Sequence, residues 1–219
     1  MDTQSLSESV ARAYRSIRER IFDGSLTPGQ ELRESVLGEE IGVSRTPVRS
    51  ALSLLEAEGL VIHERYRRYT VASLTIEEID KIFELRMLLE GLAAQRAATR
   101  VTDDEIAELR RLNVEMLVCA GAQDVHDTRQ YDELNTRFHV VILRAADSAR
   151  LSAMLGSLID LPLSFLSHYQ PDLHRHFERS CQHHDEIIRA LEQRNGTWAE
   201  AQMRAHLLSV RPGCPGSSF

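Results

Sequence analysis

At 219 residues, 42% of them hydrophobic and 27% charged, the chain has room for one large or two modest globular domains. Its 26 Lys/Arg face 33 Asp/Glu, a net charge of −7 that argues against a nucleic-acid binder until it is divided along the chain. No window approaches the roughly 18 apolar residues of a membrane span, and MDTQSLSESVARAYRSIRER lacks the apolar core of a signal peptide, so a cytoplasmic protein without a membrane partner is expected.

Leu6 to Asp23 has a helical pattern with Val10, Tyr14, Ile17, Ile21 and Phe22 on one side, and it ends at Gly24. A Pro-Gly turn in SLTPGQEL precedes a short helix from about Arg33 to Glu40. Then come a turn at Gly42 and Val43, an N-cap candidate at Ser44, and Pro47 in the first turn of a helix that closes at Glu56 to Gly59. Val48, Ala51, Leu52 and Leu55 recur at the spacing of a buried face, while Arg45, Thr46, Arg49 and Ser50 lie opposite, near the helix start. This is a helix-turn-helix whose second helix suits a major groove. Two β-rich runs, LVIHE and YTVAS, flank the basic tip Arg65, Tyr66, Arg67, Arg68, which reads either as a wing beside the minor groove or as a solvated hairpin. Residues 1–73 hold 10 Arg/Lys against 11 Asp/Glu and the remainder 16 against 22, so the acidity is C-terminal. A basic face of Arg33, Arg45, Arg49, Arg65, Arg67 and Arg68 is compatible with that balance.

After Ser73 the pattern is helical throughout. A capping-box-like Thr75 to Glu78 opens one long helix with Ile79, Ile82, Phe83, Leu85, Leu89, Leu92 and Ala93 apolar, and Thr102 caps the next above an acidic first turn. Further helices are expected over 124–146, 149–168, 172–194 and 197–210, with Pro162 interrupting one of them. The fold class is therefore mostly α: a winged helix-turn-helix domain over 1–73, an all-α antiparallel bundle over 74–211, and a Pro/Gly/Ser-rich tail over 212–219. Cys119, Cys181 and Cys214 form no CxxC pair, which excludes a disulfide framework and a thiolate metal site, and two of them are expected to be buried on helices.

Three of the nine histidines stand on core-facing stripes. Asn135 and His139 are one helical turn apart, His184 adjoins Ile187, Ile188 and Leu191, and His206 adjoins Met203, Leu207 and Val210. Each alone reads as a satisfied, half-buried histidine. Together they also read as ligands of a divalent transition metal (Zn, Ni or Mn), with Asn135 a weak fourth ligand and a position open to a bound molecule.

The segments LTPGQELRE, IGVSRTPVRSAL and LLEAEGLV make the chain resemble GntR-type transcription regulators, specifically the FadR-like subgroup with an FCD ligand-binding domain, over about residues 8 to 210. FELRMLLEGLAAQRAA, NTRFH, HHDEIIRAL and MRAHL match that domain's helices and histidine motifs. The resemblance implies operator contacts at Arg45, Thr46 and Arg49, flanked by Arg33 and Ser44 and assisted by the wing. It implies a metal site at Asn135, His139, His184 and His206, and Arg86 and Asn135 as partners of an effector carboxylate. Two residues depart from the family pattern. Asn135 stands where many members have aspartate, and Arg68 stands where the wing usually has glycine. The expectation is a homodimeric regulator, a repressor more than an activator, bound to palindromic double-stranded DNA and controlled by a small carboxylate or sugar acid. The rivals are a metal-dependent, hydrolase-like bundle with a DNA-docking domain, and an effector-independent dimeric DNA binder. Against the enzyme, no paired carboxylate or nucleophile motif accompanies the histidines.

Overall fold

The computed structural model describes residues 7–64, 68–121, 125–159 and 173–211. Two compact units divide between Leu74 and Thr75.

In the first unit, α1 (Glu8–Phe22) is capped by the Ser7 side chain and buries Ala13, Ile17 and Ile21, one face at i, i+4, i+8. Strand β1 (Glu31–Leu32), helix α2 (Glu34–Ile41), helix α3 (Arg45–Ala57) and strands β2 (Val61–Glu64) and β3 (Arg68–Val71) follow. The α2–α3 turn depends on two glycines. Gly42 takes the left-handed conformation at φ 74°, where a side chain is disfavoured. At Gly38 a Cβ would stand 2.8 Å from the Val43 carbonyl oxygen, so only glycine lets the chain fold back this closely. Arg12 Nη2 donates to the Gly42 carbonyl at 2.8 Å and ties the turn to α1. Ser44 holds the N-cap position of α3 with extended dihedrals, but its hydroxyl makes no capping hydrogen bond. Val48, Ala51, Leu52 and Leu55 are fully buried, as their spacing requires.

The two expected strands pair antiparallel, with Ile62 opposite Thr70 and His63 opposite Tyr69, whose rings stack at 4.4 Å. The sheet has a third member that the sequence did not announce. β1 pairs β3 through Glu31 and Thr70, and through Leu32 and Tyr69, giving the order β1-β3-β2. The wing tip, with Arg65 and Arg67, lies outside the described residues.

The second unit opens at α4 (Ile76–Ala97), where Thr75 and Glu78 form a reciprocal capping box. Thr102 and Glu105 exchange the same bonds ahead of α5 (Asp103–Gly121). Helices α6 (Val125–Ala145), α7 (Ala149–Ile159), α8 (Leu173–Glu192) and α9 (Gly196–Val210) complete the described bundle. α4 packs on α6, α7 and α9, while α8 bridges α5 and α9. Asp147 and Arg194 adopt positive φ at the breaks before α7 and α9. Cys119 and Cys181 are buried and unbridged. Of the helix expected over 149–168, the part beyond Ile159, with Pro162, lies outside the described residues, as do Cys214 and the tail.

Candidate functional site

The first unit presents the start of α3 to solvent. Arg45, Thr46 and Arg49 are exposed because the opposite side of the helix is spent on the core. The helix N-terminus adds its own partial positive charge, a combination suited to phosphate and base edges. A cleft of about 310 Å³ runs here, bringing Arg33, Arg45, Arg49 and Arg68 together with Glu31 and Glu34. The acids are engaged. Arg49 donates from Nε to Glu34 Oε1 and from Nη2 to Glu34 Oε2, both at 2.7 Å, a bidentate pair that raises the affinity of the guanidinium for its proton. Arg33 reaches Glu31 at 3.3 Å. Arg68 starts β3, so its side chain belongs to the sheet edge of the cleft rather than to a glycine-type wing turn.

The second unit converges on four buried polar side chains from three helices and a fifth from α8. His139 (α6), His184 (α8) and His206 (α9) are each at most 2% exposed, so none is the half-buried histidine that each stripe alone suggested. One ligand atom from each lies within 4.8 Å of the others. His184 stacks on Phe138 at 4.1 Å, and the His184 and His206 rings are 4.5 Å apart. Both nitrogens of His184, Nε2 of His139 and Nδ1 of His206 lack a hydrogen-bond partner. Burial, reinforced by the neighbouring histidines, holds the pKa of His184 and of His206 well below the usual value, so both rings are neutral and carry the lone pairs a metal needs.

Arg86 and Glu90 lie beside this cluster on α4, 6% and 3% exposed. Arg86 Nε donates to Glu90 Oε1 at 2.7 Å, and Glu90 Oε2 stands 2.5 Å from His139 Nδ1, close but not aligned as a hydrogen bond. Desolvation by itself would raise the carboxyl pKa. Arg86 and then His139 overcome it and hold Glu90 at about 2, fully ionised. Among the described residues that Nε bond is the one hydrogen bond Arg86 makes, leaving its two terminal NH2 groups as a donor fork. Asn135 is half-buried on α6, one turn before His139.

The structure thus brings together the three histidines and Arg86 that the sequence singled out, and adds Glu90 beside them and Glu34 beside Arg49, which the sequence reading did not name. Glu90 had a signal: Phe83, Arg86, Glu90, Ala93 and Ala97 all fall on the buried side of α4, at spacings of three and four. Glu34 had none, because its partner is fifteen residues away on another helix.

A winged helix-turn-helix followed by a helical bundle is the layout of a two-part DNA-binding regulator. Residues 9–71 match the family of bacterial regulatory proteins named gntR, and residues 81–209 match the FCD domain. The chain belongs to the GntR family of bacterial regulators and carries an FCD domain. It is 28% identical over 197 residues to the HTH-type transcriptional regulator YdhC of Bacillus subtilis, covering 88% of this chain and 85% of that one. It is 26% identical to the gluconate operon transcriptional repressor of Bacillus licheniformis over 195 residues, 87% of this chain and 79% of that one. The solved structure of Escherichia coli McbR/YncC superposes with a TM-score of 0.77 at 19% identity, covering 92% and 94% of the two chains, which shows the shared fold. The protein is thus a DNA-binding transcription regulator and not an enzyme. No helix of the described residues is long and apolar enough to cross a membrane.

Proposed function

We propose that the chain is a homodimeric repressor whose affinity for a palindromic operator is set by a small carboxylate or sugar acid bound in the bundle beside a divalent transition metal. The observation that carries the reading is the set of buried imidazole nitrogens without partners on three converging helices. Buried polar atoms are satisfied in folded proteins, so these call for an occupant. The donor set suits Zn, Ni or Mn: three imidazoles, with Asn135 as a weak fourth ligand. Tetrahedral ligands about 2.1 Å from one ion stand about 3.4 Å apart, so the histidines, within 4.8 Å of one another, would draw together on an ion.

When bound, such an ion supplies an electrophilic site for an acid oxygen. The chain's own contribution is Arg86, whose Nε is bonded to Glu90 and whose terminal NH2 groups are assigned the effector carboxylate, which a guanidinium takes bidentately. Similarity to a repressor named for the gluconate operon supports a sugar acid as the class of effector. At the DNA end, Arg45, Thr46 and Arg49 are assigned the base and phosphate contacts, with Arg33, Ser44 and Arg68 at the margin.

Elemental analysis and thermal shift of the purified protein test this. Stoichiometric Zn, Ni or Mn is expected, with chelation lowering the melting temperature by roughly 5–10 °C, since ligand at about a hundredfold over its Kd adds ~2.7 kcal/mol. Gluconate should stabilise the metal-loaded protein further. An equal metal content in a His139→Ala variant would remove the site.

A further inference from the structure

We infer that Glu90 is a positioning residue for the metal site: its second oxygen orients His139 and supplies the negative charge that Asn135 cannot. The inference rests on the metal reading above. Three imidazoles and an amide leave a divalent ion with no anionic partner in its ligand set. A carboxylate is nevertheless present. Glu90, 3% exposed, is fixed by Arg86 through Oε1 and faces His139 Nδ1 at 2.5 Å through Oε2.

That arrangement assigns the ring's two nitrogens. Nδ1 carries the proton toward Glu90, which leaves Nε2, buried and unpartnered, as the donor to the ion. A carboxylate behind a ligating imidazole fixes its tautomer and ring orientation and makes it more basic, and loss of such a partner typically costs 10–100-fold in metal affinity. Arg86 enters the same chain from the other end. Its Nε holds Glu90 Oε1 at 2.7 Å, so the carboxylate that faces His139 is paired with a guanidinium. An effector carboxylate on Arg86 therefore draws on the cation that holds Glu90, and metal and effector binding become linked through one side chain.

The test is a competition titration of Zn against a chromophoric chelator, on the full chain, for wild type, Glu90→Gln and the double variant Arg86→Gln/Glu90→Gln. The double variant replaces the buried ion pair by two amides, so a folded protein remains available if Glu90→Gln alone leaves Arg86 uncompensated. Folding is checked by helical circular dichroism. Both variants are expected to bind Zn 10–100-fold more weakly than wild type. The Co(II) d–d spectrum should also shift in position and intensity, which general loosening of the bundle would not produce while helicity and stoichiometry hold. Affinity within threefold of wild type with an unchanged Co(II) spectrum, in whichever variant is folded, overturns the role of Glu90 and leaves the histidine site standing. A wild-type protein that binds no metal overturns both readings.

Discussion

Arg49, proposed to contact the operator, is held in place before any DNA arrives. Its guanidinium already makes a bidentate bond to the carboxylate of Glu34, the same two-point geometry with which arginine meets a guanine edge or a phosphate. The pair is exposed enough to be screened by solvent, so it orients the side chain more than it stabilises the fold. Arg49→Ala is accordingly expected to weaken operator binding by roughly 10- to 100-fold in a gel-shift titration, with the melting temperature unchanged within error. Undiminished binding would remove the contact. The same residue marks what a sequence conceals. Arg45, Thr46 and Arg49 were legible because a helix with a committed apolar side leaves its other side free. Glu34 was not, since a glutamate on a helix reads as solvated surface until the arginine it meets is known, whereas Glu90 was marked only by its spacing on the buried side of α4.

At the scale of elements, spacing and caps carried most of the information. Thr75 and Thr102 cap α4 and α5 as their S/T-x-x-E pattern requires, and both wing strands fall where alternating β-branched residues placed them. Strand β1 escaped because Glu31 and Leu32 are extended by pairing with β3, not by their own preference. Ser44 takes the N-cap position its residue type suits, yet its hydroxyl makes no capping bond, because hydroxyl orientation is settled by surroundings that a local pattern does not contain. The turn between α2 and α3 is the element most sensitive to change. A methyl group at Gly38 would meet backbone oxygen at 2.8 Å, and backbone cannot swing aside as a side chain can. Gly38→Ala is expected to cost about 1–3 kcal/mol by forcing the two helices apart, whereas Gly42→Asn, in open space at positive φ, should cost less than half as much. Urea denaturation of the two variants gives the comparison, and equal losses would show that the close approach of α2 to the turn is not what glycine provides.

For the whole molecule, charge and symmetry have to be reconciled with binding a polyanion. The acidic excess belongs mainly to the residues after 73, so the first unit is close to neutral overall and gathers four arginines at one cleft. One such cluster makes few phosphate contacts, and two copies on one DNA roughly double both the contacts and the sequence read. The bundle also leaves Leu85 and Leu88 of α4 exposed one turn apart, the kind of apolar surface a second copy covers. Light scattering is therefore expected to give twice the 24.8 kDa chain mass. On DNA, two chains should bind one palindrome whose half-site centres lie about one helical turn, 10–10.5 bp, or a multiple of it apart. Inserting about 5 bp between the half-sites puts them on opposite faces of the duplex, so it should abolish cooperative binding and leave only the weaker single-site affinity. Binding that ignores that insertion would mean each winged unit reads DNA alone, and a bundle-borne effector would then have no symmetric arrangement to act upon.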